Sequence, residues 1–193
     1  MKSEIDQLLK DQHAEALWIT GPAQHNPSMV YLTGGGHMTQ ADVIKQVGQE
    51  TVLCHAPMER DEAARTGMRT INYRRFPLKD RLALANGDRL TANAMLYQKI
   101  FEEIGLTSGK VLLYGRTDAG KHHSIVKRLQ ELMPGLTFEG DLEDAVLLQA
   151  MATKGQDEIE RIRKMGDVVI NVVTRVADFL RGHKVINEVL IKP

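Results

Sequence analysis

The sequence predicts an α/β protein: a mixed β-sheet flanked by helices, with a long C-terminal helix. Three observations carry that reading. Compact apolar runs alternate with helical stretches along most of the chain. Two of those runs, "ADVIKQ" and "ETVLCHA", are separated only by Val47-Gly48-Gln49, which reads as a hairpin. And the stretch "MATKGQDEIERIRKMGDVVINVVTRVADFLRG", Met151–Gly182, keeps one face apolar for about seven turns. A hairpin set within strand–helix alternation requires parallel and antiparallel neighbours in one sheet.

Taken in order, the first element is a short amphipathic helix carrying Ile5, Leu8 and Leu9, followed by "ALWIT", a compact strand-like run. "GPAQHNP" breaks the chain, and "SMVYLTG" reads as a second strand ending at Gly34, Gly35 and Gly36. After the hairpin, "MERDEAARTG" reads as a short helix closed by Gly67, and "TINYRRF" is strand-like. Residues 78–104 are helical with a break at Asn86-Gly87. "KVLLYG" has the continuous apolar character of a buried strand, "TDAGKHHSIVKRLQELMPG" is a helix ended by Pro134-Gly135, and "LTFEG" is a last strand. A helix from Leu142 to Ala150 then leads to the long one. There Thr153 and Gln156 have the spacing of a capping box, Asp157 and Glu158 lie at the positive end of the dipole, and Gly182 suits the residue past the helix end. The predicted division is residues 1–150 as one domain and 151–193 as the start of another.

Composition excludes some functions. The 193 residues carry 25 Lys plus Arg against 25 Asp plus Glu, and no basic run gives nucleic acid or an anionic membrane a footing. The single cysteine, Cys54, cannot form an internal disulfide and suits a reducing, cytoplasmic setting. The charged, helical start "MKSEIDQLLKDQHAEAL" is not of signal-peptide type. No apolar run approaches the ~18 residues of a membrane span.

Residue chemistry alone offers no active site. "GRTDAGKHH", Gly115–His123, has the G-x-x-x-x-G-K frame of a phosphate loop between a strand and a helix. However, His122 stands where Ser or Thr should hold magnesium, and Asp118 puts an acid where phosphates would sit. Lys121 is therefore expected to be solvated at a plain strand-to-helix turn. Among the seven histidines no pair has metal-ligand spacing; His122 and His123 are adjacent, as are Cys54 and His55. Cys54, inside an apolar strand, reads as an inert core thiol. "MERDEAA" and "GDLEDA" read as helix starts with acids near the dipole.

Two segments together resemble a known pattern. "NPSMVYLTGG", Asn26–Gly35, resembles the YLTG strand of the creatinase/prolidase N-terminal domain, in which a hairpin and an acidic helix near a proline follow, as "PMERDEAA" does here. "AMATKGQDEIERIRKMGDV" resembles the junction at which the first long helix of that family's catalytic domain begins, through Lys154, Glu158, Ile159 and Ile162. It departs in two places: the usual Arg ahead of the Lys is replaced by Gln149, Ala150 or Met151, and the later Ala by Met165 or Gly166.

The resemblance implies an N-terminal, non-catalytic domain of a dinuclear-metal Xaa-Pro aminopeptidase or dipeptidase. It implies no cofactor in this chain. Two divalent ions (manganese, cobalt or zinc) are expected in a C-terminal pita-bread domain, held by two Asp, one His and two Glu after the junction helix. It also implies a homo-oligomer, most simply a dimer, in which the N-terminal domain helps to cover the partner subunit's active site. A creatinase-type amidinohydrolase and a stand-alone binding or scaffold protein are the alternatives. By the same resemblance His37, with Gly35 and Gly36, is the substrate-adjacent candidate. Val169, Val173, Val176 and Leu180 are the expected oligomer interface, because an apolar stripe continuing to the end of the junction helix needs a partner, whether its own catalytic domain or a second copy.

Overall fold

Helix α1 (Glu4–Asp11) turns Ile5 and Leu9 inward and hands the chain to β1 (Ala16–Gly21), which is buried at every residue. The computed structural model describes residues 4–191. Next come α2 (Pro27–Thr33), the hairpin β2 (Ala41–Gln46) and β3 (Val52–His55), and a 3-10 turn, Pro57–Glu59, running into α3 (Arg60–Arg65). Then follow β4 (Arg69–Asn72), a second 3-10 turn at Tyr73–Arg75, α4 (Leu78–Leu84) and α5 (Arg89–Glu103). The remaining elements are β5 (Gly109–Gly115), α6 (Ala119–Leu132), β6 (Leu136–Gly140), α7 (Ala145–Ala152), α8 (Gln156–Arg181), β7 (Lys184–Ile186) and β8 (Val189–Ile191).

Six strands form one mixed sheet in the order β4-β3-β2-β1-β5-β6. β1 is antiparallel to β2 and parallel to β5, β2 is antiparallel to β3, and β4 and β6 extend the two edges in parallel. Only β2 therefore runs against the other five. The carboxyl ends of β1, β3, β4, β5 and β6 and the start of β2 share one edge of the sheet. In open α/β sheets such an edge is where ligands are met.

Side chains alternate across each strand, and both faces are covered. On one face Leu17, Ile19, Val43, Leu53 and Leu112 pack with Met29 of α2, Ala63 of α3 and Val146, Leu147 and Ala150 of α7. On the other, Trp18, Ile44, Cys54, Ile71 and Val111 pack with Ile100 and Phe101 of α5 and Ile125 and Leu129 of α6. This second face is centred on aromatic rings: Trp18 meets Tyr97 at 4.6 Å and Phe101 edge-on at 5.5 Å between ring centroids. Two-sided burial explains why β1 and β5 read as near-continuous apolar runs.

The sheet order bears out the predicted mixed α/β architecture, the hairpin and the long helix; three local readings are corrected. "SMVYLTG" is a helix, α2, not a strand. Asn26 caps it with its side-chain oxygen accepting from the Met29 amide, Pro27 opens its first turn, and Gly34 closes it at φ 78°. An Asn-Pro pair presets a helix start that the β-branched character of the run conceals. The N-cap of α8 is Gly155 rather than Thr153, with the Glu158 carboxylate accepting from the Gly155 amide at 2.9 Å. And α7 begins at Ala145, three residues later than Leu142, after a turn in which Asp144 has φ 50°. Past α8, Asn187 and Glu188 at φ 49° and 64° make the tight turn of a β7–β8 hairpin that the sequence reading did not contain.

The chain divides into two units, one ending at Met151 and one beginning at Ala152. The first holds the sheet and both cores. The second holds α8 and the β7–β8 hairpin, and no residue of α8 is buried.

Candidate functional site

The sheet edge that collects the carboxyl ends also collects polar side chains, and the loop from Gly34 to Gln40, exposed at Gly34, Gly35, His37, Thr39 and Gln40, lies along it. Its shape follows from its sequence. At the exit of α2, Thr33 donates its hydroxyl to the Met29 carbonyl at 2.8 Å and accepts from the Gly35 amide at 3.4 Å. Gly34 and Gly35 take φ 78° and 91°, and a Cβ on either would meet nothing within 4 Å. Backbone conformation, not crowding, therefore asks for glycine at both. Met38 is buried and its carbonyl accepts from the Ala23 amide at 2.8 Å, which fastens the far end of the loop to the segment after β1. Thr39 donates both its amide and its hydroxyl to the Glu59 carboxylate, the hydroxyl at 2.6 Å.

Between these fixed points His37 is exposed, with Gln24 Nε2 2.9 Å from its Nδ1. A Gln nitrogen can only donate, so in this contact Nδ1 is the acceptor and Nε2 is left facing outward from the pair. The loop thus presents an imidazole nitrogen on a glycine-rich arm anchored at both ends. His37, Gly35 and Gly36 share that loop, as the sequence reading placed them.

Beneath the same edge, on the aromatic face of the sheet, lies a network with no sequence signature. Asp42 of β2 is fully buried; its Oδ1 accepts from Trp18 Nε1 at 2.8 Å and its Oδ2 from the Tyr73 hydroxyl. Burial raises the carboxyl's pKa, against the pull of donors on Tyr73, Trp18, Thr20 and Tyr97. Burial also pushes the Tyr73 and Tyr97 phenols and the Cys54 thiol well up, with Asp42 adding to each. Cys54 is accordingly a protonated core thiol, as its strand suggested.

The phosphate-loop frame is filled from within. Asp118 caps α6 by accepting from the Lys121 amide at 2.7 Å, so a carboxylate occupies the helix N-terminus that a phosphate would need. Lys121 is exposed, and His122 packs on Trp18 at 5.2 Å between centroids, where burial lowers its pKa. Among the described residues no group of three or more His, Cys, Asp or Glu is placed to hold a metal ion. Nor is any described helix long and apolar enough to cross a membrane.

In the second unit, Val169, Val173, Val176 and Leu180 fall on one face of α8 and are 46–61% exposed. Their spacing, four, three and four residues, keeps them in line along the helix.

The chain matches no protein-family model, and no curated protein matches it at a significant level. Solved structures do match. A prolidase from Pyrococcus furiosus superposes with a TM-score of 0.54 at 14% identity, over 95% of this chain and 48% of its own. A dipeptidase from Pyrococcus horikoshii OT3 gives 0.53 at 17% identity, over 90% and 44% respectively. The N-terminal domain of the cytoplasmic peptidase PepQ from Mycobacterium tuberculosis H37Rv gives 0.50 at 12% identity, over 76% of this chain and 95% of that domain. The chain spans less than half the length of the first two. At these identities it is the fold that is shared, and that fold is the one found in the creatinase/prolidase N-terminal domain: a mixed six-stranded sheet flanked by helices and followed by a long helix.

Proposed function

We propose that this chain is the N-terminal, non-catalytic domain of a dinuclear-metal Xaa-Pro dipeptidase or aminopeptidase. The observation that carries the reading is the match to a full-length prolidase over 95% of this chain but 48% of the prolidase. In this reading the two divalent ions belong to a pita-bread domain beyond the junction helix α8. There they would supply the activated water that attacks the scissile bond. The present residues contribute shape. The sheet edge bearing Gly34–His37 borders the substrate, the protein works as a homodimer in the cytoplasm, and each N-terminal domain helps to cover its partner's active site.

Two measurements test this. Sequencing the gene past codon 193 should find two Asp, then His, Glu and Glu in order; a stop codon there would favour a stand-alone scaffold. Residues 1–193 alone, assayed with Xaa-Pro dipeptides and longer Xaa-Pro peptides in added manganese or cobalt, should give no turnover. Metal-dependent hydrolysis that copurifies with the chain would overturn the non-catalytic assignment.

A further inference from the structure

At the edge of the sheet opposite the glycine loop, β2 ends while β3 and β4 begin, and there the aromatic face carries a cleft of about 150 Å³. Its floor is apolar. Ile44 and Val52 lie opposite each other on β2 and β3 and are buried, and Ile104, just past α5, lines the cleft with them. Arg69, the first residue of β4, is the partner of Val52 in the parallel ladder and so stands on the same face of the sheet. Gln46, the last residue of β2, and Glu50, in the turn before β3, complete the lining. That turn is braced. Lys45 donates to the Gln46 and Gln49 carbonyls at 3.1 and 2.6 Å and pairs with Asp6 at 2.7 Å. Gln46 is also occupied, its Nε2 donating to the Glu15 carboxylate at 3.2 Å. Arg69 and Glu50 are not. Both are exposed, and among the described residues neither side chain forms an ion pair or a hydrogen bond.

We propose that this cleft binds a free α-amino acid with an apolar side chain. Its volume falls below the roughly 300 Å³ at which pockets for drug-sized ligands begin, so the occupant is small. One cation and one anion, neither neutralised by the protein, call for a ligand that carries both charges. Its carboxylate accepts from the guanidinium fork of Arg69, and its ammonium donates to the Glu50 carboxylate. The negative end of the α5 dipole, where Ile104 stands, favours the ammonium as well. Ile44, Val52 and Ile104 offer an aliphatic side chain a surface away from water. The walls are strands and a braced turn, so binding asks for little ordering. The cleft shares no residue with the loop that bears His37, and it stands whether or not the chain belongs to a peptidase.

The test titrates leucine into the nitrogen-15-labelled chain, residues 1–193, at low ionic strength, where exposed charges are least screened. Backbone amide shifts should saturate in the millimolar range and map to residues 46–52, Arg69 and Ile104. Isopentylamine, which lacks the carboxylate, and isocaproate, which lacks the ammonium, should each bind at least about tenfold more weakly than leucine. Arg69→Ala and Glu50→Ala should each weaken leucine by a similar factor. Both side chains are exposed, so either variant should keep the wild-type spectrum away from the cleft. No saturable shifts with leucine, binding of either analogue as tight as that of leucine, a response centred elsewhere, or leucine binding untouched by the two substitutions would overturn the proposal.

Discussion

His37 shows what one residue contributes. It is exposed with its Nδ1 against Gln24 Nε2, while Met38 and Thr39 hold the backbone beside it. If the loop borders the substrate in the assembled enzyme, His37→Ala in the full-length protein should lower kcat/KM about tenfold, the loss of one hydrogen bond to a polar or charged group. Folding should be untouched, because the ring packs against nothing in the core. Steady-state kinetics on Xaa-Pro dipeptides decide it: an unchanged kcat/KM would mean a solvated histidine and no more. At this scale the sequence was uneven. His37 stood out because three glycines precede it. Asp42 did not, because "ADVIKQ" shows only a lone acid in an apolar strand. Its partners, Trp18, Tyr73 and Tyr97, lie on three other elements that only the folded sheet brings together.

Elements were legible where their signals are local, and lost where two local signals compete. β1, β5 and the β2–β3 hairpin follow from period and turn chemistry within a few residues. In α2 the β-branched and aromatic residues argued for a strand, but Asn26 and Pro27 fix the helix start and Gly34 its end, and the caps won. The same capping logic disposes of the phosphate loop. Asp118 satisfies an amide at the start of α6 with a charged acceptor, so Asp118→Ala should destabilise the protein by about 0.5–2 kcal/mol. Urea denaturation followed through the Trp18 signal measures this, since Trp18 touches His122 on the same helix turn. Calorimetric titration of the wild type with ATP and magnesium should show no saturation. Micromolar binding abolished by Lys121→Ala would restore the phosphate reading and remove the capping one.

At the scale of the whole molecule the apolar stripe of α8 calls for a partner. Its 26 residues span about 39 Å. Ile162, Met165, Val169, Val172, Val173, Val176, Phe179 and Leu180 are all large, apolar and exposed. Burying each such side chain is worth roughly 1.5–3 kcal/mol, which summed along the stripe exceeds the net stability of a typical domain. In a full-length peptidase of the proposed kind the catalytic domain would take up this face. For residues 1–193 alone, a second copy offers an equal stripe, and a two-fold axis pairs like surfaces without further design. We therefore expect the isolated chain to form a homodimer or a higher even oligomer with Val169, Val173, Val176 and Leu180 between subunits. Val173→Asp with Val176→Asp should dissociate it, since two unpaired carboxylates in an apolar seam cost more than the remaining contacts return. Both side chains are exposed within their own chain, so the substitutions should leave the fold of each subunit intact. Sedimentation equilibrium compares the wild type with the double variant. A wild type that stays monomeric at high concentration would sink the self-association claim, and a double variant that still associates would move the interface away from α8.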